Sequence, residues 1–321
     1  MGQPLFLKPV FQEKIWGGTK LKTIFDYDIT SQQTGECWAI SAHPHGTCEI
    51  INGKLKGKKL DEVWQDYPAL FGHPEEAVFP LLTKIIDAND DLSVQVHPDD
   101  AYAMANEGEL GKTECWYVLQ ADPGAEIVYG HHAQTREELK EMIKKGKWKK
   151  LLKRVKVKKG DFIFVPSGTI HAIGKGLMIL ETQQSSDTTY RVYDYNRKDD
   201  QGNFRDLHIQ QSIDVTTVPF VEPRLHISQE IEKASSVTTF IKTDFFNVYE
   251  WHVEGILRFK RQAPYTLVSV LDGYGHIYVN DQAKGFELTK GTHFILPNDI
   301  KNWRIEGDLQ IIASEPGAAS N

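Results

Sequence analysis

The stretch Lys159-Gly160-Asp161-Phe162-Ile163-Phe164-Val165-Pro166-Ser167-Gly168-Thr169-Ile170-His171 decides how the rest of the chain is read. Gly160 opens a turn, Phe162 to Val165 are β-branched or aromatic, and Pro166 and Gly168 close the run, which is the signature of a short strand between turns. An imidazole, His171, follows the second turn. The phrase returns at Lys290-Gly291-Thr292-His293-Phe294-Ile295-Leu296-Pro297, again Lys-Gly, five residues and Pro. A strand-turn unit present in both halves predicts two related β units.

Other apolar runs are equally short: LSVQVHP (92–98), ECWYVLQ (114–120), AEIVYG (125–130), GLMILETQQ (176–184), TLVSVLDG (266–273) and GHIYVN (275–280). Strands of about four to eight residues with turn residues between them predict a mainly β chain of the sandwich or barrel kind, not a parallel α/β sheet. Helices enter as insertions at about 61–72, 99–108 and 135–153. The last is marked by the capping box Thr135-x-x-Glu138, by Leu139, Met142 and Ile143 beyond it, and by a break at Gly146. The polar stretch 222–237 reads as a connector. The expected division is 1–235 and 236–321, with the boundary near residue 235.

Composition narrows the function. With 321 residues, 40% hydrophobic and 25% charged, the chain is neither disordered, collagenous nor a coiled coil. Lys plus Arg at 37 against Asp plus Glu at 44 leaves −7, which argues against a nucleic-acid partner and for a small molecule. Cys37, Cys48 and Cys115 show no paired spacing, so neither a disulfide framework nor a thiolate zinc site is expected. No apolar stretch approaches the roughly 20 residues of a membrane span, and the start of the chain lacks a signal-peptide core, so a cytoplasmic protein without a membrane partner is expected.

The chemistry-bearing residues sit in strands. In Ser93-Val94-Gln95-Val96-His97 the period of two puts Ser93, Gln95 and His97 on one face; Lys112 and Glu114 share a face for the same reason. Two His and a Glu, with the amide oxygen of Gln95, form a nitrogen and oxygen set suited to Zn²⁺ with room for a substrate. Bland readings stand beside this one. A lone His on a strand is commonly a packing residue, Trp16, Trp38 and Trp116 fit an ordinary core, and Glu36 and Asp187 fit turn caps. His43, His45, His131 and His132 fit no ligand spacing and read as surface residues. The basic run 139–159 reads as a solvated face able to steer a phosphorylated substrate.

These pieces jointly fit the cupin barrel, a small jelly roll that gathers metal ligands from facing strands, so two cupin-like jelly-roll barrels with a small helical insertion are expected. The motif G-x5-P-x-G-x2-H-x3-N is matched from Gly160 to His171, with Lys175 where Asn is expected. The first cupin motif is altered: Gln95 replaces a His, and an insertion separates His97 from Glu114. In the second half Asp299 and Asn302 stand where Gly and His belong, so that cupin-like unit is expected to be degenerate and metal-free.

From Phe11 through Arg205 the chain resembles the type I mannose-6-phosphate isomerases in their short bacterial form. The resemblance is carried by Trp16-Gly17-Gly18, Gly35-Glu36-x-Trp38 with His43-Pro44 after it, Pro80-Leu81-Leu82-x-Lys84, Ser93-x-Gln95-Val96-His97-Pro98, Gly111-Lys112-Thr113-Glu114, Pro166-Ser167-Gly168-x-x-His171-Ala172 and Gln183-Gln184-Ser185-Ser186-Asp187-x-Thr189-Tyr190-Arg191. It implies one Zn²⁺ per chain, held by His97, Glu114 and His171 with Gln95 as a fourth ligand. Arg191 and Lys112 would be catalytic, and Trp16, Glu36, Lys84, Ser93 and Asp187 would line the sugar-phosphate pocket. The implied reaction interconverts mannose 6-phosphate and fructose 6-phosphate through an enediol; Lys112 and Glu181 both stand as candidates for the carbon base. Two other readings keep the fold: an Fe²⁺ cupin oxygenase and a non-enzymatic sugar-binding cupin. A sugar-responsive DNA binder is opposed by the absence of a helix-turn-helix pattern. Sequence leaves the oligomeric state open.

Overall fold

The computed structural model describes residues 2–199 and 201–318, in which antiparallel strands form three sheets. One sheet has six strands in the order Phe162–Val165, Glu114–Ala121, Leu177–Gln184, Leu81–Ala88, Thr34–Ile40 and Val10–Gly18. A five-stranded sheet runs Tyr190–Tyr193, Val94–Val96, His171–Ile173, Glu126–His131 and Leu152–Lys156. The chain is mainly β, as its short apolar runs predict.

The period of two sorts the side chains of these sheets into layers. Ile86, Trp116, Val118, Leu177 and Ile179 from the first sheet meet Ile127, Tyr129 and Ile173 from the second in a shared core. The alternate residues of the six-stranded sheet, among them Ala39, Ile85, Tyr117, Met178 and Leu180, pack against Phe240, Phe246, Leu267 and Ile312 of the C-terminal region. Leu180 is 1% exposed in that layer, so truncation to Ala costs about 2–5 kcal/mol. The back of the five-stranded sheet, Val94, Val96, Val128 and Ala172, is covered by Leu139 and Ile143 of the helix Arg136–Lys144 and by Ile213 of the helix Ile209–Val215.

The nine-stranded third sheet is built around the long strands Phe246–Lys260, Asn302–Pro316 and Thr266–Val279. Its own core holds Trp251, Val268, Val270, Phe294 and Ile305. Two of its strands, Leu5–Lys8 and Glu49–Ile50, come from the start of the chain; Leu5 pairs with Ile295 and Phe6 with Phe294. The repeated Lys-Gly phrases lie at matching places, before the strands Phe162–Val165 and His293–Leu296. Both glycines are left-handed, Gly160 at φ 89° and Gly291 at φ 83°, which is why Gly stands there.

Helices run over Leu60–Asp66, Asp100–Asn106 and Arg136–Lys144. Thr135 Oγ1 accepts from the Glu138 N–H at 3.1 Å, while the Glu138 carboxylate reaches back to the Gln134 N–H instead of that of Thr135. Gly146, at φ 59°, follows the helix end. The stretch expected as a connector contains a strand, Ser228–Glu232, hydrogen-bonded along Ser235–Lys242 with all its residues exposed. Its composition is linker-like because none of its side chains is buried. Among the described residues no helix is long and apolar enough to cross a membrane.

Candidate metal centre and its pocket

The inner faces of the six- and five-stranded sheets carry apolar residues at one end and ionisable ones at the other. Glu36, Lys84, Glu114 and Glu181 alternate with residues that face the C-terminal layer, and Gln95, His171 and Arg191 alternate with residues that face the helices. Register fixes the neighbours: Gln95 lies opposite His171 on one side and Arg191 on the other, and Glu181 lies between Lys84 and Trp116.

His97, Glu114 and His171 are buried, with one ligand-capable atom from each lying within 4.8 Å of the others. His97 Nδ1 is 2.9 Å from the Thr188 carbonyl and His171 Nδ1 is 2.8 Å from that of Thr169. A carbonyl only accepts, so each Nδ1 carries the hydrogen and each Nε2 presents a lone pair. Both lone pairs face the Glu114 carboxylate, at 3.5 Å from His97 and 3.3 Å from His171. Burial also keeps both rings neutral, with His171 down to about 4 and His97 well below the usual imidazole range. His171 Nε2 is buried without a hydrogen-bond partner, and Glu114 Oε2 turns into the same space. Three acceptors converging in a buried space repel one another unless a cation sits among them, so this donor set fits a divalent metal. The Lys112 ammonium leans on the same focus, 2.9 Å from Glu114 Oε2 and 3.1 Å from His97 Nε2.

Beside the trio lies a dense charge cluster. Lys84 Nζ is 3.9 Å from Glu36, 3.9 Å from Asp187 and 4.0 Å from Glu181, and stands 4.6 Å above the Trp38 ring. Burial pushes the Glu36 carboxyl up, but Lys84 and Lys14 outweigh it and hold the group below its usual range. Asp187 behaves likewise, with burial opposed by Lys84 and by a 3.0 Å contact to His45. Glu181 goes the other way. Its burial and the nearby charge of Glu114 raise it to about 7, and Trp116 Nε1 donates to both acids, at 3.0 and 3.1 Å. For Lys112 burial works against the charge, but Glu114 and Glu181 outweigh it and keep the ammonium protonated.

Trp16, Glu36, Lys84, Ser93, Gln95, Lys112, Asp187 and Arg191, all singled out in the sequence, line one cavity that opens onto this cluster. Glu181, Lys14, Thr189 and Arg205 line it too. Arg191 donates through Nη1 to the Asp206 carbonyl at 2.9 Å, while its Nε is buried without a partner. More open clefts, beside Tyr278 and Arg304 and beside Leu5 and Phe286, hold no comparable group of buried ionisable residues.

The surface reading of four histidines is corrected in two cases. His43 and His131 are each 4% exposed, because His43 faces Glu109 and His131 Nε2 meets the Thr217 carbonyl at 2.9 Å; His45 and His132 are exposed. Glu36 and Asp187 face the cavity, which a turn-cap reading does not provide. Glu109 and Lys14 went unnoticed in the sequence, where each is an ordinary charged residue in a polar setting. The three thiols are free and buried.

Residues 5–119 match the family model described as phosphomannose isomerase type I, catalytic domain, and residues 236–316 match mannose-6-phosphate isomerase, cupin domain. A mannose-6-phosphate isomerase of Streptococcus mutans is 57% identical over 98% of this chain and 98% of its own length. One from Bacillus subtilis is 51% identical over 97% of this chain and 98% of its own. The crystal structure of a Bacillus subtilis mannose 6-phosphate isomerase superposes with a TM-score of 0.95 at 48% identity, covering 97% of this chain and 99% of that one.

Proposed function

The chain belongs to the type I phosphomannose isomerases, and on that premise we propose that zinc held by His97, Glu114 and His171, with the Gln95 amide as a further ligand, serves the interconversion of D-mannose 6-phosphate and D-fructose 6-phosphate at this pocket. The single observation that carries the metal reading is the convergence of three buried acceptors from His97, Glu114 and His171 within 4.8 Å of one another, with His171 Nε2 left without a hydrogen-bond partner. When bound there, zinc supplies Lewis-acid polarisation of sugar oxygens without redox chemistry of its own.

The protein's residues divide the remaining work. Moving hydrogen between C1 and C2 requires a base whose carboxyl titrates near the working pH. Glu181, raised to about 7 by burial and by Glu114, fits that demand, whereas Lys112, kept protonated, suits donation to a sugar oxygen. Arg191, anchored by one nitrogen and with a free buried Nε, presents a donor to the developing enediolate or the phosphate. Lys84, Glu36, Asp187, Ser93 and Trp16 then orient hydroxyls and exclude water on the cavity wall. In this reading residues 1–235 form the catalytic unit and 236–321 an accessory cupin-like unit, in a cytoplasmic protein consistent with its free thiols.

The test is turnover of mannose 6-phosphate to fructose 6-phosphate by purified protein before and after chelation, with Zn²⁺ returned. Activity lost to the chelator and restored by zinc is the expected result. Full activity in metal-free protein removes the zinc role, and a folded, zinc-loaded protein without turnover removes the substrate assignment.

A further inference from the structure

We propose that Glu109, which lies outside the pocket, is a positioning residue that clamps the loop Ser186-Asp187-Thr188 and through it orients both His97 and Asp187. The proposal rests on the metal-centre reading above. Glu109 sits on the connection between the helix Asp100–Asn106 and the strand Glu114–Ala121. Its Oε2 accepts from three donors of one loop: the Ser186 hydroxyl at 3.2 Å, the Asp187 N–H at 3.4 Å and the Thr188 hydroxyl at 2.9 Å.

The other oxygen, Oε1, lies 3.4 Å from His43 Nε2. His43 Nδ1 accepts the His45 N–H at 3.2 Å, so the hydrogen of that ring is on Nε2 and points at Glu109. Both carboxylate oxygens therefore face donors only. Burial opposes the charge on Glu109, but these hydrogen bonds outweigh it and hold the carboxyl below its usual range.

What the clamped loop delivers gives the contact its consequence. The Thr188 carbonyl fixes the tautomer and rotation of His97 at 2.9 Å, and Asp187 reaches Lys84 at 3.9 Å and His45 at 3.0 Å. A carbonyl hydrogen-bonded to a metal-binding imidazole sets the direction of its lone pair, so slack in the loop becomes misalignment of His97. The same slack loosens Asp187 on the sugar side of the pocket.

Glu109→Gln keeps the shape and breaks the clamp. If the amide oxygen serves the loop, its NH₂ meets the N–H of His43; if reversed, it meets three loop donors. Zinc affinity by competition with a chromophoric chelator, the absorption spectrum of the Co²⁺-loaded protein, KM and kcat separately, and the melting temperature form the test. Glu109→Gln is expected to weaken zinc about three- to tenfold, less than the 10–100-fold of losing a direct ligand partner, to shift the cobalt bands, and to raise KM. Thr188→Val removes one donor but leaves the carbonyl on His97, and is expected to do the same more weakly. The double variant should lose less than the product of the two, as members of one network do. A folded Glu109→Gln protein with unchanged zinc affinity and cobalt spectrum overturns the proposal; if that variant fails to fold, an unchanged Thr188→Val protein does so. Should the parent protein show no isomerase turnover while Glu109→Gln still weakens zinc, the substrate assignment falls and the clamp stands. Absence of tight zinc binding in the parent protein overturns clamp and metal centre together.

Discussion

Replacing Lys84 by Met removes the one cation that three carboxylates share, and the structure sets the size of the effect. At 3.9–4.0 Å and an effective dielectric constant of about 20, each contact is worth about 4 kcal/mol of gross attraction. Glu36 and Glu181 are buried and count nearly in full; Asp187, with a side chain 32% exposed, is discounted for solvent screening. Desolvation of the ammonium cancels much of this sum, and removal of one member of a buried ionic group leaves a net loss of about 3–5 kcal/mol. The loss depends on pH. Glu36 and Asp187 are held below their usual range partly by Lys84, so their contribution is present at neutral pH and fades as pH falls through those lowered values. Glu181, at about 7, is charged only above neutrality, so its pairing with Lys84 contributes mainly there. The destabilisation of Lys84→Met should therefore be largest near pH 8.5, diminish as Glu181 takes up its proton, and shrink further in acid. Urea unfolding of both proteins at pH 8.5 and 5.5 measures it. A difference below about 1 kcal/mol at pH 8.5, or one equal at both pH values, refutes the account of Lys84 as the shared counter-ion.

Arg191→Lys should lower kcat/KM about a hundredfold while leaving the melting temperature nearly unchanged, because a point charge does not replace a fork of fixed donors; steady-state kinetics decide this. His293 is neutral because burial drops it to about 3 from 6.5, so the unfolded chain takes up a proton that the folded one refuses and stability falls as pH drops below 6.5. His293→Gln lacks that liability, and the stability lead of the parent protein should narrow by about 2 kcal/mol between pH 7 and 5 in urea titrations. Gly160→Ala and Gly291→Ala both force a left-handed Ala, at about 1–2 kcal/mol; only at Gly291 would the new Cβ press on a ring, that of Tyr27 at 3.0 Å. Gly291→Ala should be the more destabilising in thermal melts.

Much of the site is readable in the sequence because alternation within a strand is a local property. Ser93, Gln95 and His97 had to share a face, as had Lys112 and Glu114, and the turn before His171 is spelled by its own Pro and Gly. Neighbour relations between strands are not local. Nothing near Glu109 announces that its partners are 77–79 residues away, and nothing near His43 distinguishes a ring facing a carboxylate from one facing water. The hairpin at Ser228–Glu232 escaped for a related reason: a strand exposed on all its residues has no apolar alternation to betray it. Glu181 lies between these cases, its face set by its strand and its raised carboxyl set by burial and then by Glu114 on the neighbouring strand.

The pairing of Leu5 with Ile295 has a consequence for the order of assembly. As the polypeptide leaves the ribosome, the strand Leu5–Lys8 appears long before its partner His293–Leu296, so this edge stays unmatched until that distant strand has been made. Contacts of such sequence separation raise contact order and slow the final folding step. Two strands far apart in sequence thereby close one seam, and a product stopped short of residue 293 lacks the strand His293–Leu296 and leaves Leu5–Lys8 without that partner in the sheet.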